Sequence, residues 1–440
     1  MTVKKTGIRR NRRTRELILP FEAHAADQLA EARGEPRLLS KLRQQAWDTY
    51  AITPVPTLKD EAWRRTDIRR FPADKLSFES AVKSSSLVMD GGGENATARL
   101  DLSPDLTPRL QTSPALEEQG VIMLPLSEAA HREPELLKQY LGKICPPSEG
   151  KFAALAAGMA IDGMLVVIPE DVHLDIPIQA QVTIGGQGQA YATRLVVVVK
   201  PNASGTVVCE RRSSDELDQL YTGTVELFVE DGASLTFVDV QALGDKTWNF
   251  THERASVGRD ASCEWITAAV GSRLTKTFLD LDLKGEGAQG RVSGFFFALD
   301  GQHLDLDTQQ NHLAPRTTSD LLYKGALRDN GRSVWQGMIY VAPGAQNTDG
   351  YQANRNLLLN GQARADSIPG LEILADDVRC THGATAGQLD EDQLFYLMSR
   401  GLPRQTAEKL VIQGFFAEVM QRIPIEDLRQ RFVKLIDGKL

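Results

Sequence analysis

Cys380 and His382 are the only cysteine and histidine in the chain that stand two positions apart. In an extended strand the side chains at i and i+2 leave the same face, so a thiol and an imidazole would point one way, side by side. A soft thiolate with an imidazole suits Zn, Cu(I) or an iron–sulfur cluster. The ordinary alternative is a satisfied core histidine beside an inert thiol, and on spacing alone that is the commoner outcome. A cluster needs about four ligands, so this pair is half a site.

The other reactive residues offer less. Cys209 and Cys263 fall in strand-like segments and read as small buried hydrophobes. Cys145 precedes Pro146-Pro147 in a loop with no histidine near it in sequence. His303 and His312 flank the acidic stretch around Asp305 and Asp307 and read as solvent-exposed packing. The sequence contains no Walker A loop, no G-x-S-x-G elbow and no H-E-x-x-H pair. Gly91-Gly92-Gly93 lacks the Gly-Lys-Ser/Thr that a phosphate loop requires.

The elements that must hold the pair begin with a long β-rich body. From about Met164 to Cys380 strands alternate, with Leu279, Leu281 and Leu283 set between Asp280, Asp282 and Lys284. A small-residue turn signal recurs at Asn202-Ala203, Gly232-Ala233, Asp260-Ala261 and Gly287-Ala288, about 27 to 30 residues apart, and again at Gly344-Ala345. A fixed period of that length marks a stacked repeat. Each period holds two or three short strands and no helix, which excludes ankyrin, leucine-rich and tetratricopeptide arrays. A propeller blade would need roughly 40 residues, and a parallel β-helix fits best.

Helices flank this body. Leu38, Leu42, Ala46 and Tyr50 recur at helical spacing after Pro36, within a helical stretch from Phe21 to Tyr50. Thr53-Pro54-Val55-Pro56 then forces an extended linker. In the segment Glu61 to Phe71, Trp63 is read as buried, with Arg64, Arg65, Arg69 and Arg70 solvated around it. Ser84-Ser85-Ser86 marks a loose connection, Val121 to Leu124 a short buried strand, and Glu133 to Leu141 a helix. Past Thr385 the period becomes helical again. Asp390 caps a helix carrying Leu394, Phe395, Leu397 and Met398, and Gly401 ends it. Pro403 and Pro424 open two more. The division expected is a basic arm over 1–20, an N-terminal helical and mixed region over 21–150, the β-helix over 151–385 and a helical domain over 386–440.

Composition sets the outer bounds. The 440 residues carry 58 acids against 50 bases, a net charge of −8, which argues against a nucleic-acid binder. The basic block from Lys4 to Arg15 reads as a solvated disordered arm. Four scattered cysteines make no disulfide framework. No run approaches the roughly 18 apolar residues of a membrane span, and no apolar region follows the basic start. A cytoplasmic protein that contacts neither membrane nor nucleic acid is expected.

The closing run Asp376-Asp377-Val378-Arg379-Cys380-Thr381-His382-Gly383-Ala384-Thr385, continuing through Gln388-Leu389-Asp390-Glu391-Asp392-Gln393-Leu394-Phe395-Tyr396-Leu397, resembles the end of the SufB/SufD family of SUF iron–sulfur cluster assembly scaffolds, in its SufD form. Trp63-Arg64-Arg65-Thr66-Asp67 is similar to the family's N-terminal W-R-x-T-D signature. The resemblance implies a mainly β fold, a right-handed parallel β-helix flanked by helical regions. It implies a non-enzymatic subunit that pairs with a SufB-like sister at the β-helix ends, a homodimer being possible when isolated. The C-terminal helices would hold a SufC-like ABC-type ATPase, so ATP belongs to that partner and none to this chain. The transient Fe–S cluster would form at the junction, with His382 matching the implicated SufD histidine and Cys380 beside it; a reduced flavin is possible in the complex. SufB brings a cysteine from the region that reads Gln362-Ala363-Arg364-Ala365-Asp366-Ser367 here, which puts this chain on the SufD side. Two other readings stay open: an adaptor that contributes no ligand, and a β-helix polysaccharide lyase or hydrolase built on Asp280, Asp282, Asp305 and Asp307.

Overall fold

At six corners of the β-rich body one residue adopts the left-handed conformation: Asn202, Gly232, Asp260, Gly287, Arg316 and Asn347, with φ between 52° and 73°. That conformation turns the amide out of the strand's own ladder. Each of these N–H groups then donates to a carbonyl at the next corner, Asn202 to Asp231 at 3.0 Å, Gly232 to Arg259 at 2.8 Å and so on to Asn347 and Asp377 at 2.6 Å. The next residue is small and buried: Ala203, Ala233, Ala261, Ala288, Thr317 and Thr348. The turn signal is therefore a stacking device. Threonine takes over from alanine in the last two corners, so the sixth lies at Asn347-Thr348, three residues beyond Gly344-Ala345.

This computed structural model describes residues 17–32, 34–78, 98–104, 106–160, 162–423 and 425–440. Between Asp162 and Gln388 the chain winds through eight coils of a parallel β-solenoid, each contributing one strand to a nine-stranded and one to a ten-stranded sheet. The strands run seven to eleven residues, so each period holds two strands. The two antiparallel additions are Leu106–Thr112 on one sheet and Ile122–Pro125 on the other.

The interior is filled by aromatics seated over glycines. A Cβ at Gly294 would stand 2.2 Å from Tyr323, one at Gly325 2.1 Å from Phe296, and one at Gly337 2.2 Å from Trp335. Leu279, Leu281 and Leu283 face inward as their alternation predicts. Both outer faces are covered as well. Trp47, Trp63, Phe71 and Phe152 pack on the nine-stranded sheet through Trp248 and Phe250. Ile412, Phe416, Val419 and Phe432 of the C-terminal helices pack on the ten-stranded sheet through Ile266, Phe295 and Phe297.

Six of the nine α-helices among the described residues follow sequence signals, while Pro114–Glu118, Leu126–Arg132 and Lys151–Met159 were not anticipated. The six run Ala23–Ala32, Arg37–Ile52 (Pro36 serving as its N-cap), Pro134–Tyr140, Glu391–Ser399, Arg404–Met420 and Glu426–Asp437. Asp390 caps its helix by accepting from the N–H groups of Asp392 and Gln393. The apolar residues of that helix do not all turn inward, however. Leu394 is buried, while Phe395 is 73 % and Tyr396 57 % exposed. The basic block Lys4 to Arg15, the Ser84 and Gly91 segments and Pro424 lie outside the described residues, whereas Leu19 of the expected arm is described and buried. No helix among the described residues is long and apolar enough to cross a membrane.

Candidate functional site

The final coil consists of the strands Arg364–Ile373 and Val378–Gln388. Each pairs on one side only, with Arg332–Val341 and Thr348–Leu358 respectively. In register, Cys380 lies beside Gly350 and His382 beside Gln352, while Leu371 and Ile373 lie beside Ile339 and Val341. Those four older neighbours are buried inside the solenoid. Cys380, His382, Leu371 and Ile373 therefore belong to the inward-facing rows, and no further coil covers them. His382 is exposed and Cys380 half-buried. Leu371 and Ile373 are each 38 % exposed. An end with two unpaired strand edges and apolar residues on its inner rows is a template for pairing with another chain.

Partial burial holds the Cys380 thiol above its ordinary value, with the backbone at Gly350 working against this. Forming a thiolate there requires a cation or metal to offset the desolvation. Among the described residues no group of three or more His, Cys, Asp or Glu side chains is placed to hold a metal ion. Cys380 and His382 by themselves make no such group. The other cysteines are elsewhere. Cys209 and Cys263 are sealed in the solenoid core, where burial pushes the Cys263 thiol up to about 12. Cys145 is buried too, its N–H donating to Glu226 at 3.1 Å.

His303 and His312 correct the sequence reading, because neither is solvent-exposed packing. His312 is fully buried on an inner row, and His303 is covered by the N-terminal segment. Burial drives both imidazoles down to about 4. Alternation could not reveal this, since it separates faces and does not show what lies on top of each.

The Trp63 segment is what covers His303. Trp63 and Thr66 are buried, while Arg64, Arg65, Arg69 and Arg70 stay exposed. The Thr66 hydroxyl bonds His303 Nε2 at 2.8 Å and donates to the Asp305 carboxylate. Lys276 Nζ lies 3.0 Å from Asp305 Oδ1 and 3.2 Å from Asp307 Oδ2, with Lys276 and Asp305 wholly buried. Its ammonium also stands 4.7 Å from the Phe278 ring centre and 5.8 Å from that of Trp63. The threonine and tryptophan of the motif thus close over a buried ion cluster. Asp280 is bound by Arg254, so these aspartates do not form the open acidic face a polysaccharide-cleaving site requires.

A pH dependence follows for His303. Its folded value is about 4 against an ordinary 6.5, so between those values the unfolded chain binds a proton that the folded chain refuses. Stability should fall as pH drops through that window, by up to about 3 kcal/mol from this group. Urea midpoints at pH 7 and pH 4.5 should converge partly in His303→Gln; an unchanged slope would count against the assignment.

Sequence reasoning missed the polar content of the last inner rows. Gln310, His312, Gln352, Asn354 and Asn356 are all buried there. In Thr348–Leu358, Asn354 and Asn356 face inward while Ala353 and Leu357 face the helices. Polarity therefore does not mark the outer face of this strand.

The described residues define a parallel β-solenoid protein whose final coil pairs on one side only. The chain belongs to the SUF system FeS cluster assembly family: its SufBD core domain profile matches residues 182–415, and the SufBD N-terminal region profile matches 107–180. Among individual proteins it is similar to the iron–sulfur cluster assembly protein SufD of Bacillus subtilis, 29 % identical over 93 % of this chain and 96 % of that one. A SufBD family protein of Mycobacterium tuberculosis is 30 % identical over 88 % and 89 %. SufB of Bacillus subtilis is 28 % identical over a shorter span, 71 % of this chain and 67 % of that protein.

Proposed function

We propose that this iron–sulfur cluster assembly protein serves as the SufD-like subunit of a cytoplasmic SufB/SufC/SufD-type complex. The observation that carries this reading is the uncovered final coil, where Cys380 and His382 stand on inner rows beside unpaired strand edges. A SufB-like sister adding its own last coil would continue both sheets, bury Leu371 and Ile373, and bring the missing donors opposite the pair. Iron and sulfide are the cargo, held between subunits until transfer. The region from 386 onward acts as a docking domain for a SufC-like ATPase. The exposed Phe395 and Tyr396 favour that role, since aromatics of this kind anchor interfaces. ATP-driven dimerisation of the ATPase subunits would then strain the junction and open it for loading. The division into an N-terminal region to 150, a β-helix over 151–385 and a docking domain from 386 belongs to the same proposal.

Cys380→Ser and His382→Ala, each reconstituted with the sister subunit and the ATPase, should assemble normally and retain several-fold less iron and acid-labile sulfide. Intact complexes with undiminished iron and sulfide in both variants would reduce this chain to a non-ligating adaptor.

A further inference from the structure

The Cys380 thiol and a second nitrogen donor both border Gly350, beside the Ile339 side chain. A Cβ built at Gly350 would stand 3.2 Å from Cys380 Sγ and 3.3 Å from His312 Nε2. His312 comes from the opposite sheet, at the end of the strand His303–His312, with its side chain wholly buried. Its Nδ1 lies 2.7 Å from Thr317 Oγ1 and its Nε2 2.8 Å from Ser319 Oγ.

The surrounding hydroxyls can hold the proton on Nδ1. With the one Thr317 hydroxyl hydrogen on the Ala314 carbonyl at 3.2 Å, Nδ1–H is the donor to Thr317. Nε2 is then left with its lone pair, on the side facing Ser319 and Gly350. Ser319 accepts from the Gln310 amide at 2.6 Å and gives its own hydrogen to Nε2. Gln310 is 1 % exposed, its amide also donates to the Tyr351 carbonyl, and its Oε1 has no partner. A thiol sulfur of the last coil and an imidazole nitrogen from two coils further in thus meet at Gly350, and the unpartnered Gln310 amide oxygen lies on the same strand as that imidazole.

We propose that Cys380 and His312 together form an entry site for a single divalent iron ion, with Gly350 keeping the space between them open. This rests on the reading above that this end of the chain handles iron and sulfide, and it adds a ligand from inside the solenoid to the rim residue His382. On binding, the Cys380 S–H bond breaks, its proton leaves to solvent and a sulfur–metal bond forms. The Ser319 side chain swings to another rotamer, since its oxygen lies 2.8 Å from Nε2 in the place the metal takes. One proton is released per ion and no electron moves. A borderline-soft divalent ion is the class that takes both thiolate and imidazole.

The test uses the full isolated chain, without sister subunit or ATPase, titrated anaerobically with Co2+ as the probe for Fe2+. The wild type should bind about one equivalent, with a thiolate-to-cobalt absorption band that Cys380→Ser removes. His312→Gln should weaken binding at least tenfold while its circular dichroism and melting temperature at pH 7.5 remain near wild type. Should that variant fail to fold, Gly350→Ala takes its place. It leaves His312 and its hydroxyl partners intact but puts a methyl group between the donors, and the same loss is expected. Wild-type affinity and spectrum in a folded His312→Gln or Gly350→Ala variant would overturn the proposal. So would loss of cobalt in His382→Ala with His312→Gln unaffected. Since the subunit partners are absent, cobalt binding can fail while cluster retention in the complex depends on Cys380 and His382 as before, and the reverse holds equally.

Discussion

Lys276→Met is expected to destabilise the protein by about 3–5 kcal/mol, the usual consequence of removing one partner from a buried ion pair. The side chain is nearly conserved in length and loses only its charge. Asp305 and Asp307 then face each other across a site with no cation at 3.0 Å or 3.2 Å. Burial already holds Asp305 above its ordinary value and Asp307 at about 6 despite the lysine. Without the lysine both rise further, so the folded variant takes up a proton that the wild type does not. The sign of the pH effect follows: the variant loses most at pH 8 and recovers part of its stability toward pH 5. Adding Asp305→Asn should restore a portion at pH 8, because one of the two stranded charges is gone. The Trp63 segment should loosen too, since Thr66 is held by the same carboxylate. Urea midpoints at both pH values, with tryptophan fluorescence as the probe, give the answer. A loss below about 1 kcal/mol at pH 8 would mean that water reaches this cluster.

Trp335→Ala should cost a similar amount, about 3–5 kcal/mol, by leaving a cavity the size of an indole in the solenoid interior. Its location matters more than its size. Trp335 lies in the coil before the last, fully buried over Gly337 and in register with Ser367 of the final coil. In a stacked repeat each coil is stabilised by its neighbours, and a terminal coil has only one. The loss should therefore fall on residues 364–388, which carry Cys380 and His382, before it reaches the middle coils. Hydrogen exchange should show protection lost first in Arg364–Ile373 and Val378–Gln388 and kept in Thr247–Val257 and Leu274–Leu283. Cluster retention in the reconstituted complex should drop with it, although no donor has been altered. Uniform loss of protection along the solenoid would show instead that the coils unfold as one unit.

Much of this protein is legible in one dimension because a solenoid is nearly one-dimensional. Local patterns such as Asn202-Ala203 and Asp260-Ala261 mark corners since each coil meets only its neighbours, and the period of the chain is the period of the structure. Helix ends at Asp390 and Pro403 were equally local, set by capping and by the missing N–H of proline. Alternation correctly separated Leu279, Leu281 and Leu283 from the aspartates between them. It was silent on what covers each face, because burial of the outer row depends on segments far away in sequence: Thr66 reaches Asp305 across 239 positions. His303 was misread as exposed for that reason, and His312 because polar residues at the open end occupy inner rows. The nearness of Cys380 and His382 was dictated by strand geometry and visible from their spacing alone. The nearness of Cys380 and His312 was decided only when two sheets closed around a shared interior, with a glycine between them.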